Sequence, residues 1–85
     1  MDMIIRYTGL PQGLDRTAFF HALAGVLDED GWLTGSGEGY VELELEDERA
    51  NPKYGILAVR SYLQNTKFPK DTAIELAGVP AGIYD

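Results

Sequence analysis

The segment Tyr40-Val41-Glu42-Leu43-Glu44-Leu45-Glu46 alternates apolar and charged side chains from its valine onward. Successive side chains of a β-strand point to opposite faces, so a period of two is typical of a strand with one buried and one solvated face. We expect the valine and the two leucines to face a core, and the three glutamates to face solvent. The segment therefore predicts a half-buried strand around which the other elements are arranged.

Charge is sorted in blocks along the chain. Nine carboxylates and no lysine or arginine lie between Asp28 and Glu48, whereas five cations and no carboxylate lie between Arg49 and Lys70. The net charge of −7 is too acidic to favour phosphate backbones or anionic lipid surfaces. We therefore expect no nucleic acid and no membrane as a direct partner, and a basic protein as the partner that the acidic block attracts.

Length and composition predict one small domain. The 85 residues suffice for a single core, so we expect residues 1–85 to form one unit. The chain has no cysteine, which excludes disulfides and zinc–thiolate sites and fits a reducing compartment. The first residues lack the features of a signal peptide, and no run approaches the roughly 18 apolar residues of a membrane span. These observations predict a cytoplasmic protein.

Turn residues and apolar periodicity divide the rest of the chain into further strands and two helices. Asp15 is the expected N-cap of the first helix, and the glycine-rich residues 35–39 are expected to form a flexible hairpin tip. The predicted order is strand one at 3–8, helix one at 16–27, strand two at 32–34, strand three at 40–46, helix two from Asn51-Pro52 to about Gln64, and strand four at 72–77, followed by a loose tail from Gly78.

This βαββαβ order predicts a ferredoxin-like α+β sandwich, in which a four-stranded antiparallel sheet carries both helices on one face. Strands one and three are expected in the centre, with strand four beside strand one and strand two beside strand three. The uncovered face would then carry the three glutamates together with Glu75 and Arg6. We expect Arg6 to form an ion pair with Glu44 or Glu75.

The acidic face has two interpretations. It is either a docking surface for a cationic partner or a solvated sheet face whose charge discourages edge pairing. If it is a docking surface, the aromatic residues that flank the hairpin tip are candidate anchors, as aromatic residues often are at interfaces. The candidate partner-binding residues are Trp32, Glu38, Tyr40, Glu42, Glu44, Glu46, Asp47 and Glu48.

No group of residues predicts catalysis or metal binding. His21, the single histidine, is expected on the solvent side of helix one, with no nucleophile beside it. The carboxylate clusters 28–30 and 46–48 lack the ligand spacing of a calcium loop. The glycine-rich tip joins two strands and contains Glu38, which would repel a phosphate. We therefore expect no catalytic residue, no metal and no cofactor, and we favour a non-enzymatic role.

Two family resemblances bear on function. The segment Gly9-Leu10-Pro11-Gln12-Gly13-Leu14-Asp15-Arg16, followed by Gly31-Trp32-Leu33-Thr34-Gly35 and Val41-Glu42, is similar to the pattern of acylphosphatases. These are βαββαβ proteins that hold phosphate with a loop arginine and orient water with an asparagine at the end of strand two. Arg16 lies one position early, and Gly35 stands where that asparagine should be. The resemblance implies the fold and, as an alternative function, acyl-phosphate hydrolysis with phosphate bound by Gln12, Gly13 and Arg16.

The second resemblance covers residues 23–76. The acidic helix end, the Gly-Ser-Gly-x-Gly hairpin, the acidic strand, Val59-Arg60-Ser61-Tyr62-Leu63 and the stretch from Pro69 to Leu76 resemble a group of small bacterial proteins, some of which look like immunity proteins of toxin systems. This resemblance implies an immunity or antitoxin-type inhibitor that docks on a basic toxin. A further alternative is a homo-oligomeric structural domain assembled through the open sheet. We expect the free protein to be a monomer or a weak homodimer.

Overall fold

The computed structural model describes residues 1–46 and 52–84. The described chain is α+β, with two α-helices, a short 3-10 helix and five β-strands. In chain order the elements are β1 (Asp2–Arg6), α1 (Arg16–Leu27), the 3-10 helix (Asp28–Asp30), β2 (Gly31–Gly37), β3 (Tyr40–Leu45), α2 (Pro52–Asn65), β4 (Ala73–Leu76) and β5 (Val79–Gly82).

All five strands belong to one antiparallel sheet with the order β2-β3-β1-β4-β5. Ile5 lies opposite Val41 of β3 on one side and opposite Ile74 of β4 on the other. The first four strands therefore have the predicted neighbours. The prediction of a four-stranded sheet is wrong, because β5 adds a fifth strand beside β4.

β5 replaces the loose tail that was expected after Gly78. Leu76 pairs with Val79, so β4 and β5 are joined by a loop of only Ala77 and Gly78. Both loop residues have positive φ, 51° and 83°, as the tight hairpin turn that matches strand twist requires. Alanine seldom adopts positive φ, so the dipeptide Ala77-Gly78 is not one of the usual two-residue hairpin loops, and its residue types did not predict a turn there.

The expected flexible tip at residues 35–39 is also mostly strand. β2 continues to Gly37, which pairs with Tyr40, so the turn consists of Glu38 and Gly39 alone. Gly39 has a φ of 79°, which suits glycine. The register shifts between Leu33 and Gly35, which marks a β-bulge within β2.

The helices begin and end close to their predicted limits. α1 spans the predicted residues, and the side chain of Asp15 accepts a hydrogen bond of 2.7 Å from the backbone N–H of Ala18. This bond satisfies one of the free amides at the helix start. α2 runs from Pro52 to Asn65, whereas its expected capping residue, Asn51, lies outside the described residues.

The buried side chains of both helices and of the strands form a single cluster, so the two helices cover the same face of the sheet. Phe68 and Ile83 belong to this core although no predicted element included them. The buried apolar residues are Met3, Ile5, Phe19, Leu23, Leu27, Val41, Leu43, Leu45, Val59, Leu63, Phe68, Ile74 and Ile83.

Candidate functional site: the open face of the sheet

The face of the sheet opposite the helices brings together carboxylates from three adjacent strands. Glu44 of β3 lies opposite Asp2 of β1. Glu42 lies opposite Ile4, and Ile4 lies opposite Glu75 of β4 on its other side. Because paired residues of antiparallel strands share a face, these side chains form one surface. We call it the carboxylate face, and it consists of Asp2, Glu42, Glu44 and Glu75.

Two cationic groups lie on the carboxylate face. Nε of Arg6 is 2.6 Å from Oε2 of Glu75, which confirms the expected ion pair. This hydrogen bond and the charge of Glu75 raise the pKa of Arg6, and the charge of Glu42 adds to the effect. The amino group of Met1 lies 2.9 Å from Oε1 of Glu44. Arg6 is the only cationic side chain in the five described strands, so the face keeps an excess of negative charge.

The carboxylate face includes one directly opposed pair of like charges. Asp2 and Glu44 are directly opposite each other, and like charges in that position destabilise a sheet. Asp2 is exposed, and Glu42, Glu44 and Glu75 are partly exposed. The amino group of Met1 and the guanidinium of Arg6 offset part of the repulsion at Glu44 and Glu75, and the carboxylates that remain in excess are suited to a cationic partner.

The candidate aromatic residues lie at two places on this face. Trp32 lies opposite Glu44 at the edge of the sheet, and half of its surface is exposed (50%). Tyr40 lies opposite Arg6, whose guanidinium carbon is 6.0 Å from the ring centroid. The Tyr40 ring also lies against Gly37, where any Cβ would collide with it. Trp32 is therefore accessible to a partner, whereas Tyr40 is already packed by its neighbours.

The remaining candidates lie near the ends of β3. Glu38 is exposed in the β2–β3 turn. Glu46 follows β3 directly, is partly exposed, and donates a backbone hydrogen bond of 2.7 Å to the carbonyl of Asp30. Asp47 and Glu48 lie outside the described residues. The six described candidates thus occur on one β-hairpin and the residue that follows it.

A cleft of about 170 Å³ lies within the carboxylate face beside the β2 bulge. Asp2, Ile4, Thr34 and Glu42 line it. Its two carboxylates accept hydrogen bonds and its threonine hydroxyl both donates and accepts. This lining suits a cationic side chain better than an anion.

Arg16 lines a different cavity, of about 350 Å³, between the β1–α1 loop and the β2–β3 turn. Its Nη2 donates hydrogen bonds of 3.2 Å to Oγ of Ser36 and to the carbonyl of Gly37. Glu38 also lines the cavity, whereas Gln12 and Gly13, expected at the phosphate in an acylphosphatase-like site, do not. The backbone N–H of nearby Ala18 donates a hydrogen bond to the Asp15 carboxylate, so this amide is already used and does not point at a phosphate. These contacts disfavour a phosphate in the cavity.

Sequence reasoning missed Asp2 as a member of the site. Strand one was expected to begin at residue 3, so Asp2 was outside it, although β1 begins at Asp2. The period-two relation of Asp2 to Ile4 and Arg6 was the signal that could have placed it on the open face.

Within residues 1–46 and 52–84, no group of three or more histidine, aspartate or glutamate side chains is arranged to hold a metal ion. Neither described helix has the length and apolar character that crossing a membrane requires.

No family model, no curated protein and no solved structure matches this chain.

Proposed function

We propose that this protein is a non-enzymatic binding domain of the immunity or antitoxin type, which inhibits a basic toxin by docking its carboxylate face on the toxin's cationic surface. The observation that carries the proposal is the position of Asp2, Glu42, Glu44 and Glu75 on one open face of three adjacent strands, with Arg6 as the only cationic side chain in the described sheet.

The strand order β2-β3-β1-β4 and the βαββαβ order of elements support a ferredoxin-like fold extended by β5. In such a two-layer sandwich one sheet face is left uncovered. The fold therefore supplies a rigid platform, and its function depends on the side chains that the platform displays.

The resemblance to immunity proteins of bacterial toxin systems agrees with this proposal. A nuclease toxin binds a polyanion, so its active site is a cationic surface, and a row of carboxylates imitates the polyanion that this surface binds. An inhibitor of this kind acts where the toxin is made, and we therefore propose a cytoplasmic location in a bacterial cell.

In this proposal charge sets the association rate of the complex, and apolar contacts set its affinity. The carboxylate face attracts the partner over a distance of about one Debye length and raises the association rate. Exposed ion pairs contribute little to final affinity, so apolar contacts have to hold the complex. Trp32, which is half exposed beside Glu44, is the nearest large anchor.

The test begins by identifying a partner and ends with kinetics. The full chain, immobilised through an added tag, captures proteins from a lysate of its source cell, and basic proteins among them are identified by mass spectrometry. A captured protein is then purified, and its association with the chain is followed by stopped-flow fluorescence at several ionic strengths. Glu42→Gln is expected to slow association about two- to tenfold at low salt and to flatten the salt dependence.

Ser61→Lys is the matched control, because it also makes the net charge more positive by one unit but lies on an exposed position of α2, in the other layer. Its association rate should stay close to that of the wild type. One equivalent of the chain should also abolish the captured protein's own toxic activity. Equal rates for Glu42→Gln and wild type at all salt concentrations, or no loss of toxic activity, would contradict the proposal.

A further inference from the structure

The outer edge of β2 pairs with no other strand of the described sheet. β2 is the first strand in the order of the described sheet, and Gly31–Gly37 contains no charged residue and no proline. Charged residues and proline are among the means by which edge strands avoid pairing with other chains. β5, at the opposite edge, is only four residues long and contains Pro80. β2 is therefore the edge better suited to accept a strand.

The β-bulge limits where such a strand can pair. The register shift between Leu33 and Gly35 interrupts the regular ladder of β2, and a bulge bends and twists the strand that carries it. The regular segment before the bulge is Gly31–Leu33. An incoming strand would pair there.

A groove of about 540 Å³ lies between α1 and this same segment of β2. Its lining is mixed, with partly buried Phe20 and Leu33 beside exposed Thr17, His21, Ala24 and Trp32. Between Arg16 and Asp28, α1 contains no aspartate, glutamate, lysine or arginine, although its outer side is exposed. The apolar part of this lining, Phe20, Ala24 and Leu33, is suited to apolar side chains of another chain, with His21 at its exposed side.

Carboxylates flank Gly31–Leu33 on both sides. Glu44 lies opposite Trp32 on the open face, and Asp28 lines the groove on the helix side. Arg16 donates hydrogen bonds to the other end of β2, at Ser36 and Gly37, and its guanidinium carbon lies 5.3 Å from the ring centroid of Phe20 at one end of the groove. A second copy of this chain would bring its own carboxylates against these, which is unfavourable, whereas a strand with lysine or arginine would neutralise them. Charge complementarity therefore favours a basic segment.

We propose that the partner adds an extended segment of alternating apolar and basic residues to Gly31–Leu33 of β2. The apolar side chains enter the groove beside α1. The basic side chains lie on the open face, where the Trp32 indole attracts a cation and Glu44, whose Oε1 is 2.9 Å from the amino group of Met1, adds negative charge. The inference rests on the proposed function, since the same basic partner supplies the segment, and main-chain hydrogen bonds to β2 supply affinity that the carboxylate face does not.

The probe is a synthetic peptide of about seven residues in which lysine and valine alternate, matched to the length of a typical strand. Trp32 is the only tryptophan of the chain, so its fluorescence reports binding in this segment. Hydrogen exchange followed by NMR then shows which amides the peptide protects. We expect protection of amides within Gly31–Leu33 by about tenfold or more at saturation, and no protection in β5.

Three controls separate the elements of the proposal. Two peptides carry N-methyl groups on alternate amides, one in each phase, and at least one of them should lose binding because the amides that pair with β2 are blocked. A peptide of alternating glutamate and valine should not bind. Ala24→Arg, which fills the groove, should weaken binding about tenfold, whereas Ala81→Arg, an equal change of charge on exposed β5, should change it less than about twofold.

Several results would overturn the inference. These are absence of peptide binding, unchanged binding by both methylated peptides, protection confined to strands other than β2, and equal affinity of Ala24→Arg and wild type. A dimer in light scattering that Ala24→Arg abolishes would assign the edge to a second copy instead. None of these results affects the kinetic test with Glu42→Gln, so failure of strand addition is distinguishable from failure of the proposed function.

Discussion

Thr72 carries the one buried side-chain polar atom without a hydrogen-bond partner among the described residues. The residue is 1% exposed, and its Oγ1 has no acceptor or donor within reach in residues 1–46 and 52–84. An unsatisfied buried hydroxyl costs about 1–3 kcal/mol. The position immediately precedes β4, where a β-branched apolar residue would pack equally well.

Replacing this hydroxyl should therefore stabilise the protein. We expect Thr72→Val to raise the free energy of unfolding by about 1 kcal/mol, measured by urea denaturation. Thr66→Val is the matched control, because Oγ1 of Thr66 donates a hydrogen bond of 2.6 Å to the carbonyl of Tyr62. The control should lose about 1 kcal/mol. If both variants lose stability alike, Thr72 has a partner and the interpretation is wrong.

The β4–β5 hairpin has an alanine at positive φ in its turn. Ala77 adopts a φ of 51° in the two-residue loop, a conformation that costs a non-glycine residue about 1–3 kcal/mol, and asparagine less. Ala77→Asn should accordingly raise the free energy of unfolding by about 0.5–1 kcal/mol. Ala81→Asn, on exposed β5 without positive φ, should slightly lower it. A variant at residue 77 no more stable than wild type would contradict the assigned turn.

Elements with a regular side-chain period were predictable, whereas those set by backbone conformation were not. The alternation in β3 predicted which of its side chains face the core, and the Asp15 cap predicted the start of α1, since both signals are local. Gly35-Ser36-Gly37 has the composition of a loop, yet it pairs with β3, and Gly37 is a glycine because the Tyr40 ring leaves no room for a Cβ there. The groove beside α1 went unnoticed because it depends on how α1 packs against β2, which the sequence pattern of either element does not give.

The molecule as a whole has an uneven charge distribution. The carboxylate face covers one side of the sheet, whereas Lys53 and Arg60 lie in α2 within the other layer. The net charge of −7 disfavours compaction at low ionic strength. Salt should thus stabilise the fold by screening the carboxylate face, while it slows association with a basic partner.

Asp2→Asn tests this balance, because it removes one of the two like charges that lie opposite each other at Asp2 and Glu44. We expect it to raise the free energy of unfolding by about 0.2–1 kcal/mol at about 10 mM NaCl, and to have almost no effect at about 500 mM. Urea denaturation followed by Trp32 fluorescence measures both values.

Asp71→Asn is the control with the same chemical change and the same net charge. Asp71 accepts a hydrogen bond of 2.8 Å from the hydroxyl of Thr8, and the side-chain oxygen of an asparagine can accept the same bond. Removing the charge of Asp71 should therefore raise the free energy of unfolding at low salt by less than Asp2→Asn does. A gain for Asp2→Asn that persists at high salt, or an equal gain for both variants, would show that local repulsion on the carboxylate face is not its cause. If Asp2→Asn stabilises the fold at low salt and also slows binding of a basic partner, the same carboxylate that weakens folding promotes association.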